Sequence, residues 1–322
     1  MRRMLTKFYI MLMETEIYPS VFAVFDHLKE KGWSGFYHTA PYFEVMQLTD
    51  KQLVASPMPI SPLYRGQSAI YEPCKASLYR GQWSKLKKFE RLLQLADFKK
   101  MLQANPQVKD LKDNGLIVNY EALAQHYGIA TNMMDMTNSP LVASFFATTQ
   151  YDAISDSYSP ILNYISMGII YFSPMGDLSC FSSRNRIWPI GQEALKRPGE
   201  QRAFAMIMEE NSNFEMLSFK FWHNREASLK VWELTQGGRI LFPYDPMAEK
   251  VRIMKKYRIY SMQSLEHVYA ENNTFADSLD NAKTMLETAG CAFIDHLPFA
   301  YTKEEIVCIT EEYHRMFPDS FK

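Results

Sequence analysis

The chain has 322 residues, 47% of them apolar and 22% charged, which excludes disordered, collagen-like and coiled-coil classes and leaves a folded chain with a sizeable core. Lysines and arginines number 35 against 36 acids, a formal net charge of -1, so no whole-molecule field recruits polyanions and nucleic acid is disfavoured as a partner. The length allows roughly two domains or one large one.

Near the N-terminus Arg2, Arg3 and Lys7 precede an apolar run, Phe8 to Met13, but the run is short, Glu14 ends it and no small-residue cleavage site follows. Residues 19–31, PSVFAVFDHLKEK, set Val21, Val24, Phe25 and Leu28 on one helical stripe that Gly32 closes. Gly35 to Pro62 is aromatic and proline-punctuated, and reads as short strands or a covering loop leading into LYRGQ. That pentapeptide recurs, at Leu63 to Gln67 and again at Leu78 to Gln82, too close together for a repeat architecture.

From Ser84 to Leu102 the leucines and lysines predict a helix with a solvated basic face, ended by Asn105 and Pro106. The local basic patch at Lys85 to Lys100 keeps a nucleic-acid role open as a third class. Residues 117–127 predict a second helix, with Asn119 as its N-cap, Leu123 and Tyr127 on its buried side and Gly128 as its stop. Asn138 or Ser139 caps a third, PLVASFFATT, with Pro140 at its favoured first position. Between them GIATNMMDMTN reads as a polar connection.

The second half is richer in strand signals. MGIIYF at 167–172 and AFAMIM at 203–208 are short apolar runs of buried-strand type. Gly237, Gly238 and Arg239 introduce RILFP, and VRIMKKYRIY alternates as a half-buried strand would. Helices near 262–269, 276–288 and 302–315 close the chain. The pattern predicts an α+β protein, a single compact unit with a central mixed or antiparallel sheet flanked by N- and C-terminal helices. The longest uncharged stretch, Ser157 to Gly176, holds four serines, two prolines and an asparagine, unsuited to crossing a bilayer. Cys74, Cys180, Cys291 and Cys308 form no CxxC pair and read as reduced core thiols. A cytoplasmic protein with no membrane partner is expected.

The segments LYRGQSAIYEPCKASLYR, LAQHYGIATNMMDMTNSPLVASFFAT and RPGEQRAF, with a terminal helix running into MFPDSF, together resemble the bacterial FRG domain. That family is named for an aromatic-Arg-Gly motif, followed by Ser-Leu-aromatic-Arg, a Gln-His-Tyr-Gly segment leading to a Leu-Asp-Trp-Thr-like turn, and a late glutamine. The resemblance covers about residues 55–320 and is most specific over Ala124 to Ala147, leaving 1–54 as an N-terminal helix and covering segment. It aligns the naming arginine with Arg65 and the second arginine with Arg80. Where the family usually has an arginine and a tryptophan, this chain has Asn132 and Met136.

An arginine that ends an apolar run and meets glycine at once suits a strand end where the guanidinium grips phosphate bidentately, and Gly66 permits close backbone approach. The other reading of Arg65 is a structural ion pair; Arg80 can equally open the helix that follows it. His126, at a helix end, and Asp135, after the glycine break, form a candidate base with its orienting carboxylate, or else two helix and turn caps. Thr131 and Thr137 are suited to bonding a sugar or to holding the turn, and Gln67 and Tyr127 join the ligand-binding set. Extending the strand alternation of AFAMIM backwards puts Gln201 on the roomier side and Glu200 opposite. No HxxxH, HExxH or GxSxG spacing occurs, so no metal centre or serine nucleophile is expected.

An early arginine, a hydroxyl-bearing turn leading into a helix and a late Gln or Glu also look like the order of elements in ADP-ribosyltransferases. That resemblance implies a pocket for a nucleotide or dinucleotide, NAD as substrate rather than as a bound cofactor, and transfer of ADP-ribose to an acceptor such as a protein, or cleavage of the nicotinamide bond. Under it Arg65 holds phosphate, Thr137 and His126 orient the sugar, Asp135 fixes His126, and Gln201 or Glu200 faces the reactive carbon. The alternative is a non-catalytic ligand or protein binding module in a bacterial defence or stress pathway.

Overall fold

The computed structural model describes residues 16–32, 43–48, 51–58, 62–174, 187–190, 195–214 and 216–316. The Phe8–Met13 run, Cys180 and the MFPDSF end, apart from the helical backbone at Met316, lie outside them. In chain order β1 (Ile17–Tyr18), α1 (Val21–Glu30), β2 (Phe43–Gln47), β3 (Leu53–Pro57) and β4 (Leu63–Gln67) lead to a 3-10 turn at Ser77–Tyr79. Then come α2 (Lys85–Gln103), α3 (Pro106–Asp113), α4 (Tyr120–His126), β5 (Met133–Thr137), α5 (Pro140–Thr148) and the strands β6 (Thr149–Asp152) and β7 (Ser157–Pro160). The middle holds β8 (Met167–Ser173), β9 (Ile187–Pro189), α6 (Lys196–Glu200), β10 (Ala203–Ile207), β11 (Leu217–Trp222) and α7 (Arg225–Leu234). It closes with α8 (Pro246–Tyr257), β12 (Ile259–Ser261), α9 (Met262–Glu271), α10 (Leu279–Thr288), β13 (Ala292–Ile294) and α11 (Lys303–Met316).

This is an α+β architecture with a central mixed sheet. Its contacts gather into two units that interleave along the chain: the described residues of Met1–Asp50, Ala55–Lys75 and Met134–Pro243 form the first, and those of Lys51–Val54, Ala76–Met133 and Tyr244–Lys322 the second.

The first unit is built on a seven-stranded sheet in the order β1-β11-β8-β4-β5-β10-β9. β1 runs parallel to β11, while β11 with β8, β8 with β4, β4 with β5 and β10 with β9 are antiparallel. Tyr64 lies between Phe172 and Thr137 in register, and Phe172 in turn lies opposite Leu217. Tyr64, Phe172 and Leu217 share a core with Val21, Val24, Phe25 and Leu28 of α1, with Leu141, Val142, Ala143 and Phe145 of α5, and with Ala227 and Val231 of α7. Burying each large side chain is worth about 1.5–3 kcal/mol, so this face supplies most of the driving force for the layer. α1 takes the expected stripe inward, with the Ser20 hydroxyl accepting from the Ala23 amide. Ser139 caps α5 in the same way, over Val142, with Pro140 in the first turn.

Two expectations fail here. GIATNMMDMTN was expected as a connection, yet Met133–Thr137 is a strand in the middle of the sheet. Its methionines carry little β-preference, and burial on both faces decides the conformation instead. RILFP was expected as a strand, but Gly237 and Gly238 take φ of +69° and +86° and wind the chain into turns, with the amides of Leu241 and Phe242 both bonded to the Gly238 carbonyl. β11 and α7 are elements that composition did not single out.

The second unit packs helices around Phe89, Leu93, Phe98, Met101, Leu123, Val251, Met254 and Tyr260, with β12 parallel to β13. Asn119 caps α4 as expected, Ser84 proves to be the N-cap of α2 rather than its first residue, and Lys85, Lys87 and Lys88 are exposed. Asn105 does more than end α2: its carboxamide oxygen accepts from Gln107 and Val108 and starts α3. VRIMKKYRIY was expected as a strand, but most of it belongs to α8. Met247, Val251 and Met254 recur at helical spacing, the Asp245 carboxylate caps the first turn and Pro246 opens it; Arg258, at φ +52°, ends the helix and only Ile259–Ser261 extends. Cys74 and Cys291 are buried thiols, whereas Cys308 is exposed and no core residue.

Candidate functional site

β4 carries LYRGQ through the sheet between β8 and β5. Strand alternation sends Tyr64 and Gly66 to the face under α5, and Arg65 and Gln67 to the other. Gly66 is required by that packing: a Cβ there would stand 1.8 Å from the Ala143 carbonyl oxygen and 2.9 Å from the Ala147 nitrogen. The backbone approaching Gly66 is therefore that of α5.

Arg65 lies opposite Tyr171 of β8, and Gln67 opposite Ile169. The Arg65 guanidinium is half-buried, and its Nη1–H donates to the main-chain carbonyl of Asp135 in β5 at 2.8 Å. The arginine of the first motif and the aspartate of the second are thus joined through the backbone at 135. Burial pushes the Tyr171 phenol well above its ordinary value; the neighbouring Cys74 thiol adds to this and the Arg65 charge opposes it. Gln67 Nε2–H donates to Cys74 Sγ at 3.4 Å, the Cys74 amide donates to Asn213 Oδ1 at 2.7 Å, and Phe214 sets its ring against Tyr171 at 5.1 Å. Arg65 thus lies beside a phenol that burial keeps protonated at pH 7. Tyr171, which strand register brings opposite Arg65, was not singled out in the sequence, and Cys74 was read there only as a core thiol.

Thr137 and Gln201 are also brought together, within the fabric of the fold. Thr137 Oγ1–H donates to the Gln201 main-chain carbonyl at 2.7 Å and accepts from the Ser139 amide at 3.0 Å, while Gln201 Nε2–H donates to the Leu241 carbonyl at 3.1 Å. The expected alternation through 200–202 does not occur. α6 runs to Glu200, Gln201 is a helical cap and Arg202 is left-handed at φ +47°, so the strand begins only at Ala203. Glu200 is half-buried; burial raises its carboxyl pKa against the pull of Arg202 and Lys196.

Arg80, His126, Tyr127 and Thr131 belong to the second unit, so His126 and Asp135 fall in different units. Arg80 is exposed beyond the 3-10 turn, and its carbonyl accepts from the Trp83 indole at 3.2 Å. His126 occupies the last turn of α4, the favourable end for a cation. The Tyr127 hydroxyl bonds the Asp245 carboxylate, and the Thr131 hydroxyl donates to the Gln125 carboxamide oxygen. The turn between them is tied on several sides. Lys255 Nζ donates to Gly128 O and Arg91 Nε to Ala130 O, each at 2.6 Å, the Thr131 amide donates to Ser77 Oγ at 3.0 Å, and the Arg91 guanidinium also pairs with Glu121. Arg91 was hidden among the lysines of a basic helix. Among the described residues no group of three or more His, Cys, Asp or Glu side chains is placed to hold a metal ion, and no helix is long and apolar enough to cross a membrane.

The model of the FRG domain family matches residues 61–155. The chain carries an FRG domain. The matched stretch runs from just before β4 into the β6–β7 hairpin, and so contains Arg65, Arg80 and the whole span from His126 to Thr137. Glu200 and Gln201 lie beyond it. No curated protein and no solved structure matches the chain.

Proposed function

We propose that the FRG-containing protein binds a phosphate-bearing ligand such as NAD in an ADP-ribosyltransferase-like pocket of its first unit, in the bacterial cytoplasm, with Arg65 as the residue that holds phosphate. The observation that carries this reading is the placement of Arg65: half-buried on a central strand, beside the neutral Tyr171, with one guanidinium nitrogen held by the Asp135 carbonyl. A planar cation fixed at one nitrogen surrenders little freedom when it engages an oxyanion. Transfer of ADP-ribose to a protein acceptor, or cleavage of the nicotinamide bond, calls for a carboxylate at the cationic sugar, and Glu200 takes that role in this reading.

The non-catalytic binder is favoured by Thr137 and Gln201. The Thr137 proton is committed to the Gln201 carbonyl, and the Gln201 amide donates to Leu241 rather than to a ligand. Incubation with NAD, followed by chromatography for nicotinamide, separates the two readings. Release that disappears in Glu200→Gln supports the enzyme, whereas heat on titration with ADP-ribose without any release supports the binder. No heat with either NAD or ADP-ribose would overturn the phosphate-ligand reading.

A further inference from the structure

In the first unit one buried histidine fastens the end of β4 to the end of β11. His223, the residue after β11, is fully buried, and its amide donates to the Ser166 carbonyl at 3.0 Å. Its Nε2 lies 2.8 Å from the main-chain carbonyl of Ser68, the residue that follows Gln67. A carbonyl only accepts, so Nε2 carries the proton and Nδ1 presents a lone pair. Nδ1 is buried as well and has no hydrogen-bond partner among the described residues. The corner is close-packed: the Phe221 ring stands 5.5 Å from the imidazole, and a Cβ on Gly168, opposite Phe221 in register, would stand 2.4 Å from Phe221 Cζ.

This corner disfavours an imidazolium. A second proton would enter at Nδ1, where no acceptor meets it, in a site shut off from solvent. His223 also immediately precedes Asn224, whose carboxamide oxygen caps α7 by accepting from the Ala227 amide at 3.1 Å, so a cation would stand at the positive end of that helix. Among the described residues no carboxylate offsets the charge. α5 has no ionisable side chain, and Arg65 of β4, Tyr171 of β8 and Lys220 of β11 lie on the opposite face of the sheet. Arg225 and Glu226 of α7 are exposed, and His27 of α1 rests against Tyr18 and Phe219. Burial accordingly holds the His223 pKa below its ordinary 6.5, opposed by the Ser68 bond. The stabilisation from the neutral ring is therefore present above pH 6.5 and is lost as the pH falls from there through the lowered value.

We infer that His223 is an acid-sensitive latch on the strand that carries the aromatic-Arg-Gly motif: neutral, it pins the end of β4 to the end of β11, and protonation at Nδ1 releases that corner of the sheet. Ser68 follows Arg65 by three residues, so opening the latch loosens the hold of Arg65 on its ligand. That consequence rests on the function proposed above, whereas the latch rests on the corner alone. Hydrogen–deuterium exchange of the full chain at about pH 7.5 and about pH 5.5, corrected for intrinsic rates, tests the latch beside His223→Gln, which can donate to Ser68 but takes no proton in this range. Segments 66–71 and 219–226 should exchange about tenfold or more faster at the lower pH in the wild type and at an unchanged rate in the variant. If His223→Gln does not fold, the wild type decides: the two segments should lose protection while β12 and β13 keep theirs. Protection that is the same at both pH values, or that falls equally in His223→Gln, would overturn the latch and leave His223 a core residue. Titration with ADP-ribose, whose diphosphate keeps its charge across this range, is the second arm. Affinity should fall about tenfold or more at the lower pH in the wild type and hold in His223→Gln. Affinity that stays constant while the two segments open would overturn the link to Arg65 alone. No binding at either pH would count against the phosphate reading and leave the latch to be decided by exchange.

Discussion

The Arg65 guanidinium hangs from the main-chain carbonyl of Asp135, 2.8 Å away on the neighbouring strand. Because the acceptor is backbone, it survives any substitution at 135, and the arginine position depends on the sheet rather than on one carboxylate. Arg65→Lys, which keeps the charge but loses the planar fork, should cost about 1 kcal/mol of stability, the worth of one bond, as read by urea denaturation. A loss above about 3 kcal/mol would mark Arg65 as primarily a structural residue.

Gly66 makes a sharper stability prediction. With the Ala143 carbonyl where a methyl group would have to stand, Gly66→Ala must push α5 off the strand, and a loss of about 4 kcal/mol or more is expected, seen as insolubility or a collapsed melting temperature. A near-normal melting temperature would show that α5 does not lie on β4 as described.

Thr137→Val removes a hydroxyl that serves two buried main-chain groups, the Gln201 carbonyl and the Ser139 amide, while keeping the shape. The orphaned pair should cost about 1–3 kcal/mol in chemical denaturation, with the folded spectrum retained. Unchanged stability would return Thr137 to the list of residues available to a ligand.

In the second unit Glu90 accepts from Arg258 Nε and Nη2 at 2.7 and 2.8 Å and from the Tyr260 hydroxyl at 2.8 Å. Burial alone would raise its pKa, but the bonds from Arg258 and Tyr260 outweigh it and the net shift is downward. The folded state therefore holds the carboxylate more tightly than the unfolded chain does, so the stabilisation is present above the ordinary value of 4.5 and is lost as the pH falls through the lowered one. Glu90→Gln should destabilise by about 1–2 kcal/mol near pH 7, after discounting a partly exposed pair, and the gap in melting temperature should narrow below pH 4.5. A gap that stays constant with pH would remove Glu90 as its source.

Local signals carried the helices well. Ser20, Ser84, Asn119 and Ser139 all cap where hydrogen-bonding chemistry puts them, and the Val21, Val24, Phe25 and Leu28 stripe faces the core. What the sequence hid depended on distant partners. Met133–Thr137 becomes a strand because β4 and β10 flank it, and Arg65 meets Asp135 only through that pairing. VRIMKKYRIY fits a two-residue period over a short window, and the cap at Asp245 settles it as helix. Glu200 and Gln201 were misplaced because α6 and a left-handed Arg202 intervene before the strand starts.

Calorimetric titration of ADP-ribose into the wild-type protein and into Arg65→Lys, at matched ionic strength, tests the central claim most directly. A saturable isotherm for the wild type, weakened at least tenfold in the variant while the two melt within a few degrees of each other, is the result the placement of Arg65 predicts. Indistinguishable isotherms for the two proteins, or none for the wild type, would contradict it.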